Sequence, residues 1–257
     1  MHFNHHKQII YKLKQHFMDD PNVHALIING SVARGSAGPE SDVDFVLVVS
    51  EEEYENREHN NKIHFSCNSF CIPPCIAVNG SAKTVEMLKW LANNGSDVAR
   101  YAFVQANIIF SKLSDLNRIL EQITVFPTHD ITEKLESFYS QVKMHYSYLE
   151  YGHYSQNTYV LYQTAVLLAL FGGRMILTHN NMFYPGRKWF MTQLEEAKQK
   201  PKDFIYFTKE LLQYPNLTNA KEFCDILLNF RDWPKPPEGW FNRFEKDMKK
   251  HRWNAID

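Results

Sequence analysis

Two aspartates two residues apart, Asp42 and Asp44, and a Gly-Ser pair shortly before them, Gly30 and Ser31, are the residues whose types and spacing point to chemistry. The stretch reads Gly30-Ser31-Val32-Ala33-Arg34-Gly35-Ser36-Ala37-Gly38-Pro39-Glu40-Ser41-Asp42-Val43-Asp44. In an extended chain, residues two apart face the same side, so the two carboxylates converge on one spot, where hard divalent cations such as Mg²⁺ are the natural occupants. Gly-Ser-x-Ala-x-Gly predicts a tight turn into a short helix, whose free N–H groups and positive dipole end suit phosphate oxygens. A phosphate cradle and a metal-binding carboxylate pair are therefore expected side by side.

Strands must position them. Val23 to Ile28 before the motif and Phe45 to Val49 after it are short, apolar and rich in β-branched residues, which predicts two buried strands joined by the motif. Ahead of them, Ile9, Ile10, Leu13 and Phe17 lie at helical spacing, predicting a helix from about His5 to Met18 that packs on the sheet. The charged run Glu51 to Glu58 reads as a solvated connection. Lys62 to Phe70 and Cys75 to Val78 suit one or two further strands around Pro73-Pro74, and helices are expected from Lys83 to Leu91 and from Ala99 to Phe110. Strand signals vanish after the boundary region 112–130. A capped start at Asp130-Ile131-Thr132-Glu133 opens a helix that Gly152 closes, followed by helices over Asn157 to Thr178, Lys188 to Gln199, Pro201 to Tyr214 and Thr218 to Phe230.

Gly30-Ser31, Gly35 and Ser41-Asp42-Val43-Asp44 resemble the signature of the nucleotidyltransferase superfamily with the polymerase-β-like fold, in which Gly-Ser is followed at a short interval by Asp-x-Asp. Ala33-Arg34-Gly35 and Ser41 bring the likeness toward small bacterial members, including the aminoglycoside and lincosamide nucleotidyltransferases. The resemblance implies an α+β architecture: an N-terminal mixed sheet with helices, residues 1–120, as catalytic domain, and an all-α bundle, residues 121–257. It implies transfer of a nucleoside monophosphate from a nucleoside triphosphate, with ATP the expected donor, to a hydroxyl of a small, antibiotic-like molecule. Asp42 and Asp44 would be the catalytic metal ligands for Mg²⁺, and Gly30, Ser31, Arg34, Ser41 and Lys188 would bind the nucleotide. Phe183-Tyr184-Pro185-Gly186-Arg187-Lys188-Trp189 resembles a Pro-x-x-Lys-Trp stretch of the family's helical domain, which would cover the active-site mouth, and a homodimer is an assembly the family allows.

Two-metal transfer of this kind is usually served by a third carboxylate on a neighbouring strand, which helps hold the second metal and accepts the acceptor's proton. The expected position holds Asn79, whose amide brings no charge and cannot act as a base. Either the acid lies elsewhere in the sheet, or a base comes from another segment, such as Glu136 or Glu150, or activity is reduced. Two other readings stay open on that account. One is a catalytically weak nucleotide-binding sensor; the other is an antitoxin-like nucleotidyltransferase acting on a protein or RNA. Arg174 and His179 have the Arg-x4-His spacing of helical ribonuclease-like domains, a pairing that chance supplies easily.

Composition narrows the partners. With 28 Lys and Arg against 29 Asp and Glu, the chain offers no net charge for holding a nucleic-acid backbone, so a small acceptor is favoured over DNA or RNA. Cys67, Cys71 and Cys75 recur at spacings of four, but Pro73-Pro74 breaks any helix that would align them and no CxxC pair is present, so they and Cys224 are read as reduced thiols. His2, His5 and His6 read as a solvated end. No cleavable apolar leader is visible and the apolar run Tyr159 to Leu170 is too short to span a bilayer, so a cytoplasmic, membrane-free protein is expected.

Overall fold

The apolar runs on either side of the motif pair with each other as antiparallel strands, β1 (Val23–Asn29) and β2 (Val43–Val49), at the centre of a five-stranded sheet. The computed structural model describes residues 3–249, in two compact units, the first ending at Val125 and the second beginning at Phe126. In the first unit β3 (His64–Ser66), β4 (Val78–Lys83) and β5 (Asn107–Ser111) complete the strand order β3-β4-β2-β1-β5. The β2–β4 pair is parallel and the other three pairs are antiparallel, so the sheet is mixed.

Both faces of the central strands are covered, which is why they read as continuous apolar runs instead of alternating ones. Helix α1 (Asn4–Phe17) lays Ile9, Leu13 and Phe17 against Val43, Phe45 and Leu47. On the other face, α4 (Val85–Asn94) and α6 (Leu116–Thr124) bring Leu88, Leu91, Ile119 and Ile123 onto Ala25, Ile27, Val46 and Val48. Helix α2 (Gly30–Arg34) is the short helix after the turn.

Two expectations need correction here. Glu51–His59 is a helix, α3, not an irregular connection. Ser50 caps it by accepting from the Glu53 N–H at 3.2 Å, three glutamates sit in the first turn and Arg57 and His59 in the last, so charge favours the helix even though it buries none of its residues. The helix expected from Ala99 to Phe110 is instead a short helix, α5 (Asp97–Tyr101), and strand β5. Gln105 takes a positive φ of 58° and ends any helical continuation, leaving Ile108 and Phe110 to pair with Ile27 and Leu26 on the open edge of β1.

The second unit is helical throughout: α7 (Ile131–Tyr154), α8 (Thr158–His179), α9 (Phe190–Glu196), α10 (Phe204–Gln213), α11 (Leu217–Leu228) and α12 (Trp240–Lys249). Gly152 does not close α7; it lies inside the helix, where a Cβ would stand 3.0 Å from Val160 of α8. Helix α8 has 22 residues and, over an 18-residue window, a mean hydropathy of 1.6; it is long and apolar enough to span a bilayer by length and composition alone, whereas the apolar run Tyr159 to Leu170 was expected to be too short. Packing accounts for its character: Leu168, Phe171, Met175 and Ile176 are buried, and a Cβ on Gly172 would stand 2.6 Å from the Phe223 ring of α11. Helix α12, which the sequence reading did not foresee, is fastened to α7 by a buried charge. Arg243 Nε donates to both oxygens of Asp247 at 3.1 Å, Asp247 also accepts from Ser137, and Arg243 Nη2 reaches the Glu133 carbonyl at 3.2 Å.

Arg100, only 4% exposed, caps two helices of the first unit at once. Its guanidinium donates to the carbonyls of Ala92 (2.9 Å) and Gly95 (3.0 Å) at the end of α4 and of Ile123 (3.1 Å) at the end of α6, groups that no intrahelical N–H can reach. Arg100→Leu leaves those carbonyls without this donor, the buried Ile123 carbonyl among them, and is expected to cost about 2–4 kcal/mol, measured by urea denaturation. In the second unit, burial lowers the His145 pKa from 6.5 to about 4. Unfolded chains therefore take up this proton at a higher pH than folded ones; the stability tied to neutral His145 is complete above pH 6.5 and is lost as pH falls through 4. That loss is about 3 kcal/mol, and His145→Phe should remove this part of the pH dependence in denaturation series between pH 7 and pH 4.

Candidate functional site

One row of backbone pairing crosses four strands and carries the polar residues of the site. Asn29 of β1 pairs with Asp44 of β2, Asp44 with Asn79 of β4, and Asn79 with Ser66 of β3. Directly paired residues share a face, so all four side chains lie on one side of the sheet, and Asp42, two residues before Asp44, joins them. This is the face that α4 and α6 cover farther along, where Val46 and Val48 continue the alternation begun by Asp42 and Asp44. At this end the apolar cover stops and the alternation delivers carboxylates.

The turn after β1 comes up against them. Gly30 has φ +68°, and a Cβ there would lie 2.6 Å from Asp44 Oδ2 and 3.2 Å from Asp44 Cβ, so only glycine permits both the left-handed backbone and the approach of the carboxylate. Ser31 follows as a buried residue of α2, its carbonyl accepting from Ser36 N–H at 3.0 Å. Gly35, left-handed at φ 74°, ends the helix by returning its N–H to Ser31 and Val32. Arg34 places its guanidinium 4.8 Å from the centre of the Tyr101 ring.

The loop into Asp42 is held at three points. Ser41 Oγ accepts from the Gly38 N–H at 2.9 Å, which closes the Gly38–Ser41 turn. From α1, His5 Nε2 donates to the Pro39 carbonyl at 2.8 Å and His6 Nε2 to the Ser41 carbonyl at 3.1 Å. His5 and His6 are therefore not a solvated end; His6 is completely buried. Sequence offered a signal for it, since His6 precedes Ile9 by three and shares its inward helical face. His2 lies outside the described residues.

Asn79 stands where the register puts it, beside Asp44. Its Oδ1 accepts from Ser66 Oγ at 3.2 Å, which directs its Nδ2 toward Asp42 Oδ2 at 3.5 Å. Asn29 Oδ1, on the other side of Asp44, is buried with no hydrogen-bond partner. Among the described residues no group of three or more His, Cys, Asp or Glu is gathered for a metal; the arrangement here is two carboxylates flanked by amides. Val43 N–H meets the Ala77 carbonyl at 3.0 Å, and behind that contact Cys71 and Cys75 turn their thiols to the carbonyls of Cys75 and Ala77.

The remaining sequence candidates belong to the second unit and are engaged in it. Lys188 is exposed on a 3-10 turn, Arg187–Trp189, with Nζ 5.4 Å from the Trp189 ring centre. Glu136 faces Arg243 at 3.7 Å. Glu150 lies near the end of α7. Arg174 stacks between Phe138 and Tyr184, whereas His179 meets Arg231, Phe230 and Trp233, so the Arg-x4-His spacing does not bring its two members to one place.

Residues 11–70 match the family model described as "Polymerase beta, Nucleotidyltransferase". The matched stretch holds Gly30, Ser31, Asp42 and Asp44 and ends before Asn79; it is nucleotidyltransferase-like. Among solved structures, a nucleotidyltransferase-like protein from Exiguobacterium sibiricum 255-15 is similar over 97% of this chain and 79% of its own, at 12% identity and a TM-score of 0.49. No curated protein matches the chain.

The turn at Gly30 gives a direct test of the geometry. Gly30→Ala meets both a positive φ and a carboxylate, and is expected to lower stability by about 1–3 kcal/mol. Gly38→Ala, whose Cβ would come no nearer than 3.9 Å to Ser41 Oγ, should cost under about 1 kcal/mol. Paired thermal melts of the two variants measure the difference.

Proposed function

We propose that this chain is a divalent-metal-dependent nucleotidyltransferase. It moves a nucleoside monophosphate from a nucleoside triphosphate, with ATP as the expected donor, to a hydroxyl of a small molecule and releases pyrophosphate. The observation that carries the reading is the approach of Asp44 Oδ2 to Gly30, which sets the carboxylate pair against the Gly-Ser turn in one place. The first unit, which ends at Val125 and not at the expected 120, would then form the catalytic domain, and the second unit a separate helical domain. An aminoglycoside- or lincosamide-like acceptor rests on the motif's likeness to those enzymes.

The residues suit Mg²⁺. Asp42 and Asp44 are hard, partly exposed oxygen donors on one strand face, and Mg²⁺ is commonly bound by one or two carboxylates together with substrate phosphates. Held by these two side chains, it would supply Lewis-acid charge for the triphosphate and for the acceptor hydroxyl. Gly30 and Ser31 would hold the β- and γ-phosphates through backbone N–H and hydroxyl, and Arg34 would balance their charge. Ser41, with its hydroxyl on Gly38 N–H, serves this reading as the residue that shapes the turn before Asp42. His6 fixes the same turn from α1 by its bond to the Ser41 carbonyl. Lys188, on the second unit, would add a further charge for the phosphates.

Asn79 favours a second reading, a nucleotide-binding protein of low turnover. Its amide donates toward Asp42 where a third carboxylate would add charge and accept a proton. Incubation with Mg²⁺, each labelled nucleoside triphosphate and a panel of hydroxylated acceptors, aminoglycosides and lincosamides among them, separates the two. Pyrophosphate release with label on an acceptor is the expected outcome, and Asp42→Asn or Asp44→Asn should lower it about a hundredfold or more while the protein stays folded. Unchanged turnover in either variant overturns the assignment. Metal-dependent nucleotide binding without pyrophosphate supports the second reading, and label on a co-purified protein or RNA supports an antitoxin-like role. Asn79→Asp should lower the Mg²⁺ concentration needed for half-maximal nucleotide binding by about tenfold.

A further inference from the structure

The loop between β3 and β4 carries three of the chain's four cysteines, Cys67, Cys71 and Cys75, none of which the proposed transfer uses. Two of them are set against each other. Cys71 Sγ donates to the Cys75 carbonyl at 2.7 Å and Cys75 Sγ to the Ala77 carbonyl at 3.1 Å, with the Cys71 side chain within hydrogen-bond reach of the Cys75 thiol. The residues between keep the pair close: Cys75 N–H closes a turn on the Ile72 carbonyl at 3.1 Å, and Pro73 and Pro74 each fix their own φ.

Exposure divides the roles of the two thiols. Cys71 is partly exposed and can meet a small molecule, whereas Cys75 is only 5% exposed. Burial first, and then the Cys71 side chain, pushes the Cys75 pKa up to about 11. A Cys71 sulfur already bonded to another sulfur has no charge to oppose a Cys75 thiolate, so attack on Cys71 readies Cys75 to follow. An accessible thiol beside a shielded second one is the arrangement of a reversible redox pair.

The Ala77 carbonyl connects this pair to the carboxylates. It accepts from the Cys75 thiol at 3.1 Å and from the Val43 N–H at 3.0 Å, and Val43 stands between Asp42 and Asp44. A disulfide has no thiol hydrogens, so its formation removes both thiol-to-carbonyl bonds and leaves Ala77 without the donor that stands beside its contact to Val43.

We propose that Cys71 and Cys75 form a reversible disulfide by exchange with low-molecular-weight disulfides, and that its formation shifts Val43 and with it the two carboxylates. The Cys71 thiol gives its proton to water, and the thiolate attacks one sulfur of a small disulfide such as glutathione disulfide, from which one glutathione thiolate leaves. Cys75, deprotonated in turn, attacks the Cys71 sulfur of the mixed disulfide and expels the second glutathione thiolate. Each departing thiolate takes up a proton. Two protein thiols thus become one disulfide while the small disulfide becomes two thiols, two electrons passing to it. The consequence for metal binding rests on the proposed nucleotidyl transfer; formation of the disulfide does not.

Glutathione disulfide at about pH 8.5, where an ordinary thiol is half ionised, is applied to the full-length chain, and tandem mass spectrometry and the Val43 amide signal in nuclear magnetic resonance read the result. The segment holding Cys71 and Cys75 should lose two hydrogens and keep no glutathione, and dithiothreitol should restore it. Cys224, buried with its pKa pushed up to about 12, should stay reduced. The Val43 amide signal should shift on oxidation and return on reduction. Cys75→Ser should stop at a glutathione adduct on Cys71, and Cys67→Ser should leave the disulfide unchanged. Oxidation should weaken Mg²⁺-dependent nucleotide binding about tenfold. A lasting glutathione adduct or no reaction in the unaltered protein, a link that uses Cys67, a Val43 signal that does not move on oxidation, or equal nucleotide binding by the reduced and oxidised chains each overturns the proposal. A reduced chain that binds no nucleotide counts against the transfer reading, while the mass and the Val43 signal still decide this one. Both are read without any substitution, so the test holds even if a variant does not fold.

Discussion

The contact between Gly30 and Asp44 is the constraint around which the first unit is arranged. A carboxylate can lie against the main chain only where there is no Cβ and the backbone can take φ +68°. Both conditions fall on the residue after β1, because Asn29, immediately before it, is the register partner of Asp44. Pairing of β1 with β2 therefore does two things at once: it buries Leu26 to Ile28 against Phe45 to Leu47, and it delivers the Gly-Ser turn to the carboxylates. The energy comes from the apolar strands, whose cover by α1 on one face and by α4 and α6 on the other holds the register. A slip of one residue would turn Asp42 and Asp44 toward α1, into the apolar layer of Ile9, Leu13 and Phe17.

The polar row at that end has a consequence for electrostatics. Asp44 is flanked on the adjacent strands by Asn29 and Asn79, and Asn79 is itself oriented by Ser66, so these strand neighbours offer dipoles and add no charge. Two carboxylates alone suit a cation that brings its other ligands from substrate phosphates and water. A third would hold the cation more firmly in the absence of substrate. On the proposed function, an amide at position 79 would make metal and nucleotide binding depend on each other more strongly than a third acid would, whatever the turnover.

Much of this arrangement was legible in the chain itself, because the signals were local. Asp42-x-Asp44, the Gly-Ser turn, the two strands and the inward face of α1 are each written within a dozen or so residues. What escaped depended on partners remote in sequence. Ile108 and Ile109 are apolar in a way that suits helix or strand alike, and only the open edge of β1 decides for a strand. Glu51 to His59 has no apolar face, so periodicity is silent and the helix rests on its Ser50 cap and its charges. His6 was masked by two neighbouring histidines, though its step of three from Ile9 placed it inward. Gly152 and the Gly172-Gly173 pair carry the opposite lesson: within a helix, glycine marked where another helix comes close and not where the helix ends.

The second unit shows how differently buried polar groups can stand within one helix. Along α7, Ser137 sits on Asp247, whose other contacts are both to Arg243, and Arg243 in turn reaches the Glu133 carbonyl; the group is closed upon itself and fixes α12 in place. One and two turns farther, Gln141 and His145 face the same neighbouring helices yet leave a nitrogen each without a partner. A closed group explains itself by the helix it anchors, since removing either partner would strand a buried charge. An open one does not, because stability alone would be served by a leucine or phenylalanine of the same size at either position. Phe171 and Phe244 already supply the apolar surroundings for such a replacement, and the chain keeps an amide and an imidazole there instead.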